Sequence, residues 1–342
     1  MPENYAFIGL GAMGYAMASN LRKKLPPAST LYINDINASA LNRFVKEYSS
    51  YGPIIPVSTA REAATYSKVL VSIVPGAQDV KAVYLDEKNG VIAAGNNEER
   101  ILLECSTIDV ESTKEVGRRL GGMGVYIDAP VSGGVPAAEA GTLAMLIGYP
   151  PPAASSVGGT ESQISKRLTN LLAMMGSPDK FFYLHTLGAG LTAKICNNYL
   201  SGTILLATAE AMATGVAHGL DPSDLYQVIK NSTGQSWMCD HVMPVPNVQK
   251  EYWVPSNSGY KPGFKTQMML KDLGLGIESA KQVGVEPSMA AKALEVWEKA
   301  AKDERCIDRD GSSIYLHLGG QLPEGYEDKG KKADDGTWDF VD

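Results

Sequence analysis

The first half of the chain alternates short apolar runs with segments of helical periodicity. Continuous apolar runs such as VLVSIV (Val69–Val74) and ILLEC (Ile101–Cys105) are typical of strands that are buried on both faces of a parallel sheet. The other runs that we interpret as strands are Tyr5–Gly9, Leu31–Asn34, Val125–Asp128, Leu143–Ile147 and Phe181–Leu184. Helical patterns lie between them, for example Gly14–Lys24, Ala38–Glu47 and Ile164–Met175. This rhythm predicts a doubly wound α/β domain with a mainly parallel sheet.

The pattern changes after His185, where runs of strand length stop. Leu191–His218 has helical periodicity over about 28 residues, which corresponds to a helix roughly 40 Å long. Gly219 suits the end of that helix, and Asp221–Pro222 suits the start of the next one. The remaining helical patterns are Ser223–Asn231, Thr266–Val283 and Ser288–Asp303. The sequence therefore predicts an all-α C-terminal domain, joined to the first by a long interdomain helix.

These patterns divide the 342 residues into a first domain at 1–187, a helical domain at 188–320 and a charged tail at 321–342 that we expect to be solvated. An apolar fraction of 44% and a charged fraction of 20% exclude a disordered or low-complexity chain. The formal net charge of −7 provides no basic field, so neither nucleic acid nor a membrane is an expected partner. Glycine is in excess, with 35 residues, which indicates close backbone approaches.

Several other classes of site lack their residues. Four cysteines lie far apart, and no H-E-x-x-H or G-x-S-x-G motif occurs, which argues against a metal centre and against a serine hydrolase. We expect the thiols to be reduced, because a chain of this size does not need disulfides. A strand-like run that begins at Tyr5 leaves no room for a secretory leader. We therefore expect the cytoplasm or, after removal of a presequence, the mitochondrial matrix.

A glycine-rich turn carries the strongest chemical signal in the sequence. It connects the first predicted strand to the first helix and consists of Gly9, Leu10, Gly11, Ala12, Met13 and Gly14. An acid, Asp35, follows at the end of the second predicted strand, as in Rossmann domains that bind dinucleotides. Free amides at the helix start suit a diphosphate, and Asp35 suits ribose hydroxyls while repelling a 2′-phosphate. Because Ile36 and Asn37 provide no arginine, we predict NAD rather than NADP as the cofactor.

Two further groups of residues follow later strands. Val74-Pro75 and Ser106-Thr107 end two strands and could face the nicotinamide ribose, although ordinary strand-end turns explain them equally well. In DAPVSGG, which begins at Asp128, the amides of Ser132, Gly133 and Gly134 can turn toward one point and suit a carboxylate. A plain strand-to-loop turn is the alternative there.

The long helix provides a candidate acid/base group. Lys194 and Asn198 are four residues apart and therefore share one face of an otherwise apolar helix. A lysine beside a nicotinamide can exchange the alcohol proton during hydride transfer, and Asn198 could hold a substrate oxygen. Lys271, which precedes Asp272 on a later helix, is by itself more typical of a solvated helix face.

Four motifs in this order, GLGAMG, DAPVSGG with GTLAMLIG, GAGLTAKICNN and MMLKDLGL, resemble the β-hydroxyacid dehydrogenases, short relatives of 6-phosphogluconate dehydrogenase. The resemblance covers about residues 5–318. Within that family, Ser232–Trp237, the PVPN stretch and the approach to LKDLGL look most like the branch that oxidises 3-hydroxyisobutyrate in valine breakdown. The segment Gly148–Ser162 is longer than the usual connection, and the tail beyond Gly320 is extra.

The resemblance implies a Rossmann domain, a long interdomain helix and a helical domain that dimerises, hence a homodimer or homotetramer. It implies that Lys194 is the proton donor and acceptor and that Ser132, Gly133 and Gly134 bind the carboxylate of a small β-hydroxyacid. It further implies that Asn198 assists and that Lys271 lies near both cofactor and substrate. The residues that it places around the nicotinamide are Val74, Pro75 and Thr107.

Several alternatives stay open at this point. A related enzyme could reduce glyoxylate or succinic semialdehyde, or act on serine or tartronate, and Trp237 and the proline-rich loop Met243–Gly263 would decide between them. An imine reductase shares the architecture, but Lys194 argues against it. A nicotinamide-binding protein without catalysis is the alternative from another class, and its expected mark is a damaged motif.

Overall fold

A computed structural model describes residues 3–152, 163–332 and 338–340. Most of the long Gly148–Ser162 connection and part of the predicted tail, residues 153–162, 333–337 and 341–342, lie outside the described residues. The chain divides into two compact units, Met1–Lys194 and Ile195–Asp342, called here the first and the second unit. Each unit is described by itself.

The first unit is organised around a parallel sheet. Its strands are β1 (Tyr5–Ile8), β2 (Leu31–Asn34), β3 (Ile54–Pro56), β4 (Val69–Ser72), β5 (Ile101–Glu104) and β6 (Val125–Asp128). They lie in the order β3-β2-β1-β4-β5-β6, with Tyr5 opposite both Leu31 and Val69. The order reverses direction at β1, as in a doubly wound Rossmann sheet, and the predicted fold class is confirmed.

Helices cover both faces of this sheet because its strands alternate their side chains between two cores. Phe7 belongs to one core, whereas its neighbours Ala6 and Ile8 belong to the other. The helices of the unit up to residue 173 are α1 (Ala12–Lys24), α2 (Ala38–Tyr48), α3 (Ala60–Tyr66), α4 (Ala77–Leu85), α5 (Val110–Arg119), α6 (Gly134–Ala140) and α7 (Gln163–Ala173). Asn37 starts α2 by accepting hydrogen bonds from the amides of Ser39 and Ala40.

A second, smaller sheet follows β6. It contains β7 (Val131–Ser132), β8 (Leu143–Ile147) and β9 (Gly176–Tyr183), in the order β7-β8-β9. β7 is antiparallel to β8, with Ser132 opposite Ala144, and β9 is parallel to β8. This pairing fixes the backbone on which the predicted carboxylate-binding turn begins.

The long helix α8 (Ala189–Ala217) begins in the first unit and continues into the second. It is the one helix, within the described ranges, that is long and apolar enough to cross a membrane by length and composition. Core helices of globular proteins meet the same criterion, and Leu205, Ala209 and Met212 of α8 are fully buried in the core of the second unit. Packing within that core therefore accounts for part of its apolar residues, since 33% of the most apolar window of α8 is buried.

The second unit is helical, as predicted. Its further helices are α9 (Pro222–Lys230), α10 (Trp237–His241), α11 (Thr266–Gln282), α12 (Ser288–Ala300) and α13 (Ile314–His317), and it ends with the strand pair β10 (Gly330–Lys332) and β11 (Trp338–Phe340). Trp297 is fully buried on α12, and its ring N–H donates to the carbonyl of Gly202 on α8 at 3.3 Å. This contact fixes α12 against α8 within the unit.

The expectation of a solvated tail beyond Gly320 is only partly right. Residues 321–329 are mostly exposed, but Asp328 accepts a hydrogen bond from buried Arg309 at 2.7 Å. The guanidinium carbon of Arg309 also lies 3.5 Å from the ring centre of Trp338, whose N–H donates to the carbonyl of Ile307. The tail therefore packs on the second unit through Asp328 and Trp338, and its charged composition did not predict these contacts.

Candidate active site

The glycine turn after β1 contains glycines of two different kinds. A Cβ on Gly9 would lie 2.0 Å from the carbonyl oxygen of Ile73, and one on Gly14 would lie 2.0 Å from that of Gly9. These two glycines are required by the fold itself, and Gly9 also has a φ of +95°. A Cβ on Gly11 would meet no atom within 4 Å. Gly11 therefore faces open space at the start of α1, where only a ligand would require a glycine.

The start of α1 is suited to an anion. Gly11 is the N-cap residue and, among the described residues, no side chain caps the helix. The first amides of α1, from Ala12 and Met13 onward, therefore keep their capacity to bind an anionic group. Together with the open side of Gly11, these amides fit the diphosphate of a dinucleotide.

Asp35 follows β2 and ties it to the glycine turn. One carboxylate oxygen accepts the amide of Leu10 at 2.5 Å, and the other accepts the amide of Asn37 at 2.7 Å. A carboxylate has further acceptor positions after these two bonds, which can serve ribose hydroxyls. The sequence motif and the structure thus bring Asp35 and the glycine turn together.

A cavity of about 760 Å³ adjoins this turn. Leu10, Gly11 and Ala12 line one end, and Asn37 and Arg43 line the side formed by α2. The guanidinium of Arg43 lies 4.1 Å from the ring centre of Tyr15, so an arginine does reach this region although the residues next to Asp35 provide none.

The loops after β4 and β5 are joined by a short hydrogen-bond chain. The amide of Val74 donates to the hydroxyl of Ser106 at 2.8 Å, and the amide of Ser106 donates to buried Glu104 at 2.8 Å. Pro75 is exposed and Thr107 is partly exposed at the same edge of the sheet. The residues predicted to surround the nicotinamide are thus held together by Glu104 and Ser106.

The turn Ser132-Gly133-Gly134 leads from β7 into α6. Gly133 has a φ of +129° and Gly134 a φ of +66°, a backbone that glycine tolerates best. Gly133 is exposed, and Ser132 and Gly134 are partly exposed. The turn is therefore at least partly open to solvent, where a small anionic group could reach it.

Asp128 connects the end of β6 to the start of α8. One oxygen of its buried carboxylate accepts the amide of Gly188 at 2.8 Å, and the other accepts that of Leu191 at 2.8 Å. Burial raises the pKa of Asp128, and these bound amides counteract the rise. One turn after these amides lies Lys194, whose side chain is buried to 9% exposure.

The second unit holds the other predicted site residues. The side-chain amide of Asn198 on α8 donates to Asp272 on α11 at 2.6 Å. Lys271 lies 3.8 Å from the other oxygen of Asp272, which is itself 5% exposed. Asp272 thus orients the side chain of Asn198 and forms an ion pair with Lys271. The helical spacing alone does not predict that Asn198 and Asp272 are in contact.

Sequence reasoning missed the roles of Asp128 and Glu104, and it named Ser106 only as a residue at a strand end. Asp128 opens the DAPVSGG motif, and Gly188 and Gly190 precede Lys194, but the motif gives no sign that the two segments meet. A Cβ on Gly148 or on Gly190 would lie 1.9 Å or 2.9 Å from the Asp128 carboxylate, so the glycines around it were the available signal.

Comparison with known families gives a consistent result over both units. A model described as the NAD binding domain of 6-phosphogluconate dehydrogenase matches residues 4–183. A model described as NAD-binding of NADP-dependent 3-hydroxyisobutyrate dehydrogenase matches residues 188–318. Together the two models cover most of the chain.

Individual relatives agree with these models. The human mitochondrial 3-hydroxyisobutyrate dehydrogenase is 37% identical over 313 residues, which cover 91% of this chain and 85% of that protein. The NAD-dependent L-serine dehydrogenase of Pseudomonas aeruginosa is 34% identical over 315 residues, covering 91% and 96%. Among solved structures, the Mycobacterium tuberculosis 3-hydroxyisobutyrate dehydrogenase with L-serine is 29% identical, with a TM-score of 0.78 and coverage of 93% and 99%.

Proposed function

Since the chain belongs to the β-hydroxyacid dehydrogenase family of NAD-dependent oxidoreductases, we propose that it oxidises 3-hydroxyisobutyrate, or a close β-hydroxyacid, to the semialdehyde. The family matches confirm the predicted resemblance and NAD as the cofactor. The observation that carries the proposal is a lysine, Lys194, held at 9% exposure on α8, one turn from a glycine-flanked helix start. A lysine is seldom buried to this extent, and beside a nicotinamide its amine can exchange the alcohol proton.

Each group of residues has one task in this proposal. Gly11 and the first amides of α1 hold the cofactor diphosphate, with Gly9, Leu10, Met13 and Gly14 shaping the turn. Asp35 binds the adenosine ribose, and the loops with Val74, Pro75 and Thr107 surround the nicotinamide ribose. NAD, when bound, supplies the ring that accepts hydride from the alcohol carbon.

The protein's own residues bind the substrate and move the proton. Ser132, Gly133 and Gly134 hold the substrate carboxylate through amides and a hydroxyl. Neutral Lys194 takes the alcohol proton at Nζ as the hydride leaves, and its ammonium returns the proton in the reverse direction. Asn198 binds a substrate oxygen, and Lys271 contributes positive charge near the cofactor and substrate.

L-Serine is the second candidate substrate, because specific comparisons favour it. It carries a β-hydroxyl group and a carboxylate, as 3-hydroxyisobutyrate does, and one relative is named for its oxidation. A solved relative also contains L-serine by its description. The same carboxylate-binding turn and the same lysine suit either compound. Selectivity between them therefore depends on whether the site binds the α-methyl group of 3-hydroxyisobutyrate or the α-amino group of L-serine better.

A substrate panel tests the proposed function directly. The protein is mixed with NAD or NADP and with 3-hydroxyisobutyrate, L-serine, 3-hydroxypropionate or tartronate, and formation of NADH or NADPH is followed by near-ultraviolet absorbance. Glyoxylate, succinic semialdehyde and a cyclic imine are tested with NADH and NADPH. We expect 3-hydroxyisobutyrate to have the highest kcat/KM and NAD to be preferred. Turnover of the imine and of no hydroxyacid would overturn the proposal.

Lys194→Met tests the proton-transfer step. General acid–base catalysis contributes about 10²–10⁴-fold, so we expect kcat to fall by that range while the Kd for NADH stays within about twofold. Lys299→Met, on an exposed position of α12, is the matched control and should retain full turnover. Near-normal turnover of Lys194→Met contradicts the mechanism.

The proposal extends to organisation and location. We propose that residues 1–187 bind the cofactor and that residues 188–320 form the substrate and dimerisation domain of a homodimer or homotetramer, with residues 321–342 as an additional segment. Light scattering of the purified protein tests the assembly. Fluorescent tagging at the C-terminus distinguishes the mitochondrial matrix from the cytoplasm, the two locations that we expect.

A further inference from the structure

The start of α8 is held by a side chain from a distant part of the chain. α8 begins at Ala189, so the amides of Gly188 and Leu191 are at the helix start and lack partners within the helix. Both donate to the carboxylate of Asp128, at 2.8 Å each. A residue about 60 positions earlier in the chain thus caps this helix, as a local serine or aspartate does elsewhere.

Glycines closely surround the carboxylate of Asp128. A Cβ on Gly148 would lie 1.9 Å from one oxygen of Asp128, and a Cβ on Gly190 would lie 2.9 Å from the other. Gly188 has a φ of +89°, which turns its amide toward the carboxylate. Three glycines, Gly148, Gly188 and Gly190, therefore surround this one carboxylate.

Asp128 is also connected to the predicted carboxylate-binding turn. It ends β6, and Ser132 follows four residues later, at the end of β7. The backbone between them is fixed, because the amide of Gly148 donates to the carbonyl of Asp128 and the amide of Leu146 donates to that of Pro130. One residue thus lies at the junction between the Ser132 turn and the helix turn that precedes Lys194.

We propose that Asp128 is a positioning residue that sets the distance between the substrate-carboxylate turn at Ser132–Gly134 and Nζ of Lys194. The inference rests on the proposed function, since it assigns those groups to substrate and proton. Burial raises the pKa of Asp128, and the amides at the start of α8 that it accepts counteract the rise. The two hydrogen bonds from the amides of Gly188 and Leu191 hold the start of α8 in its orientation.

Asp128→Asn is the informative variant because Asp128 uses both oxygens. An asparagine has one acceptor oxygen, so its NH₂ group faces either the amide of Gly188 or that of Leu191, and one bond is lost. Asp221 is the matched control, because it caps α9 with a single oxygen that accepts the amides of Ser223 and Asp224. Asparagine caps equally well there, so Asp221→Asn should behave as the unchanged protein.

The experiment measures kcat, the primary deuterium isotope effect, the Kd for NADH and hydrogen exchange, using the best substrate of the panel. For Asp128→Asn we expect a kcat at least about tenfold lower, a Kd for NADH within about twofold, and a larger isotope effect, because a mispositioned base makes the chemical step more rate-limiting. We also expect faster exchange of the amides at 188–194 and unchanged exchange in α1.

Two results overturn the inference. One is an Asp128→Asn protein with unchanged kcat and isotope effect. The other is a loss of kcat in proportion to lost NADH binding with an unchanged isotope effect, which indicates only a smaller folded fraction. The proposed function fails separately: if Lys194→Met is fully active, the mechanism is wrong, whereas an inactive Lys194→Met beside a normal Asp128→Asn rejects the positioning role alone.

Discussion

At the scale of single residues, the glycine turn separates what the fold requires from what a ligand requires. Gly9 and Gly14 have no space for a Cβ, since backbone carbonyl oxygens lie 2.0 Å from the Cβ positions. Gly11 has that space and a φ of −67°, which any residue adopts. The excess of glycine in the composition therefore has at least two physical causes within these six residues. Close backbone packing requires Gly9 and Gly14, and the approach of a ligand requires Gly11.

This distinction predicts opposite outcomes for two alanine variants. Gly11→Ala should fold normally but weaken NADH binding about tenfold or more, about 1.4 kcal/mol, because the methyl group occupies the approach of the diphosphate. Gly14→Ala should lower the unfolding free energy by about 1–3 kcal/mol or prevent folding, because its Cβ meets the carbonyl of Gly9. Thermal unfolding and a fluorescence titration with NADH measure both effects. Unchanged NADH affinity of a folded Gly11→Ala protein would contradict the assignment.

At the scale of elements, the sequence was most informative where a segment determines its own structure. The bounds of β2, β6 and β8 are those predicted, because an apolar run between turn residues identifies a strand without knowledge of its neighbours. β3 and β7 were missed. They have three and two residues, and they are strands only because Ile54 pairs with Leu31 and Val131 with Met145.

The same limit applies to the candidate site. The glycine turn and Asp35 are within one βαβ unit, so a local motif contains both. The contact of Asp128 with Gly188 joins positions 60 residues apart, and the contact of Asn198 with Asp272 joins positions 74 apart. No periodicity or spacing rule reaches that far, so a resemblance could name Lys194 and Asn198 but not the carboxylates that orient them.

The ends of α12 and α13 provide a pH-dependent contact between elements. Asp303 follows α12 and accepts hydrogen bonds from the guanidinium of Arg305, with its Oδ2 2.7 Å from Arg305 Nη2 and 2.8 Å from His317 Nδ1 of α13. The bonds with Arg305 and then that with His317 hold the pKa of Asp303 well below its usual value.

A pKa that folding depresses contributes stability above the unfolded pKa, about 3.9 for aspartate, and this contribution is lost as the pH falls through the folded value. Asp303→Asn should therefore unfold at a lower temperature than the unchanged protein at pH 7. The difference should shrink steadily below about pH 4. Thermal melts across that range, monitored by circular dichroism, measure it, and a difference that is constant with pH would contradict the ionic contact.

At the scale of the whole molecule, the chain extends beyond its family match, which ends at residue 318. One contact of the additional residues with the second unit is buried Arg309. Its guanidinium is 1% exposed, donates to Asp328 and lies against Trp338. Tyr326 adds a hydrogen bond to the carbonyl of Ser256 at 3.0 Å. The described part of the tail is thus built into the fold of the second unit, although none of the predicted site residues lies in it.

Removal of the tail after Gly320 should therefore separate stability from catalysis. Loss of the Trp338 ring from a desolvated guanidinium costs about 2 kcal/mol, and loss of Asp328 adds to it, so the melting temperature should fall by about 2–4 °C per kcal/mol. Arg309→Met in the shortened chain should recover part of the lost stability. The substitution removes the buried guanidinium charge that Asp328 and Trp338 of the tail otherwise contact. The KM values for NAD and substrate should stay within about twofold, since none of the proposed site residues lies in the tail. A shortened protein that melts normally would contradict the stabilising contact with Arg309, and one that is fully stable but has lost substrate affinity would show that the tail acts on the site.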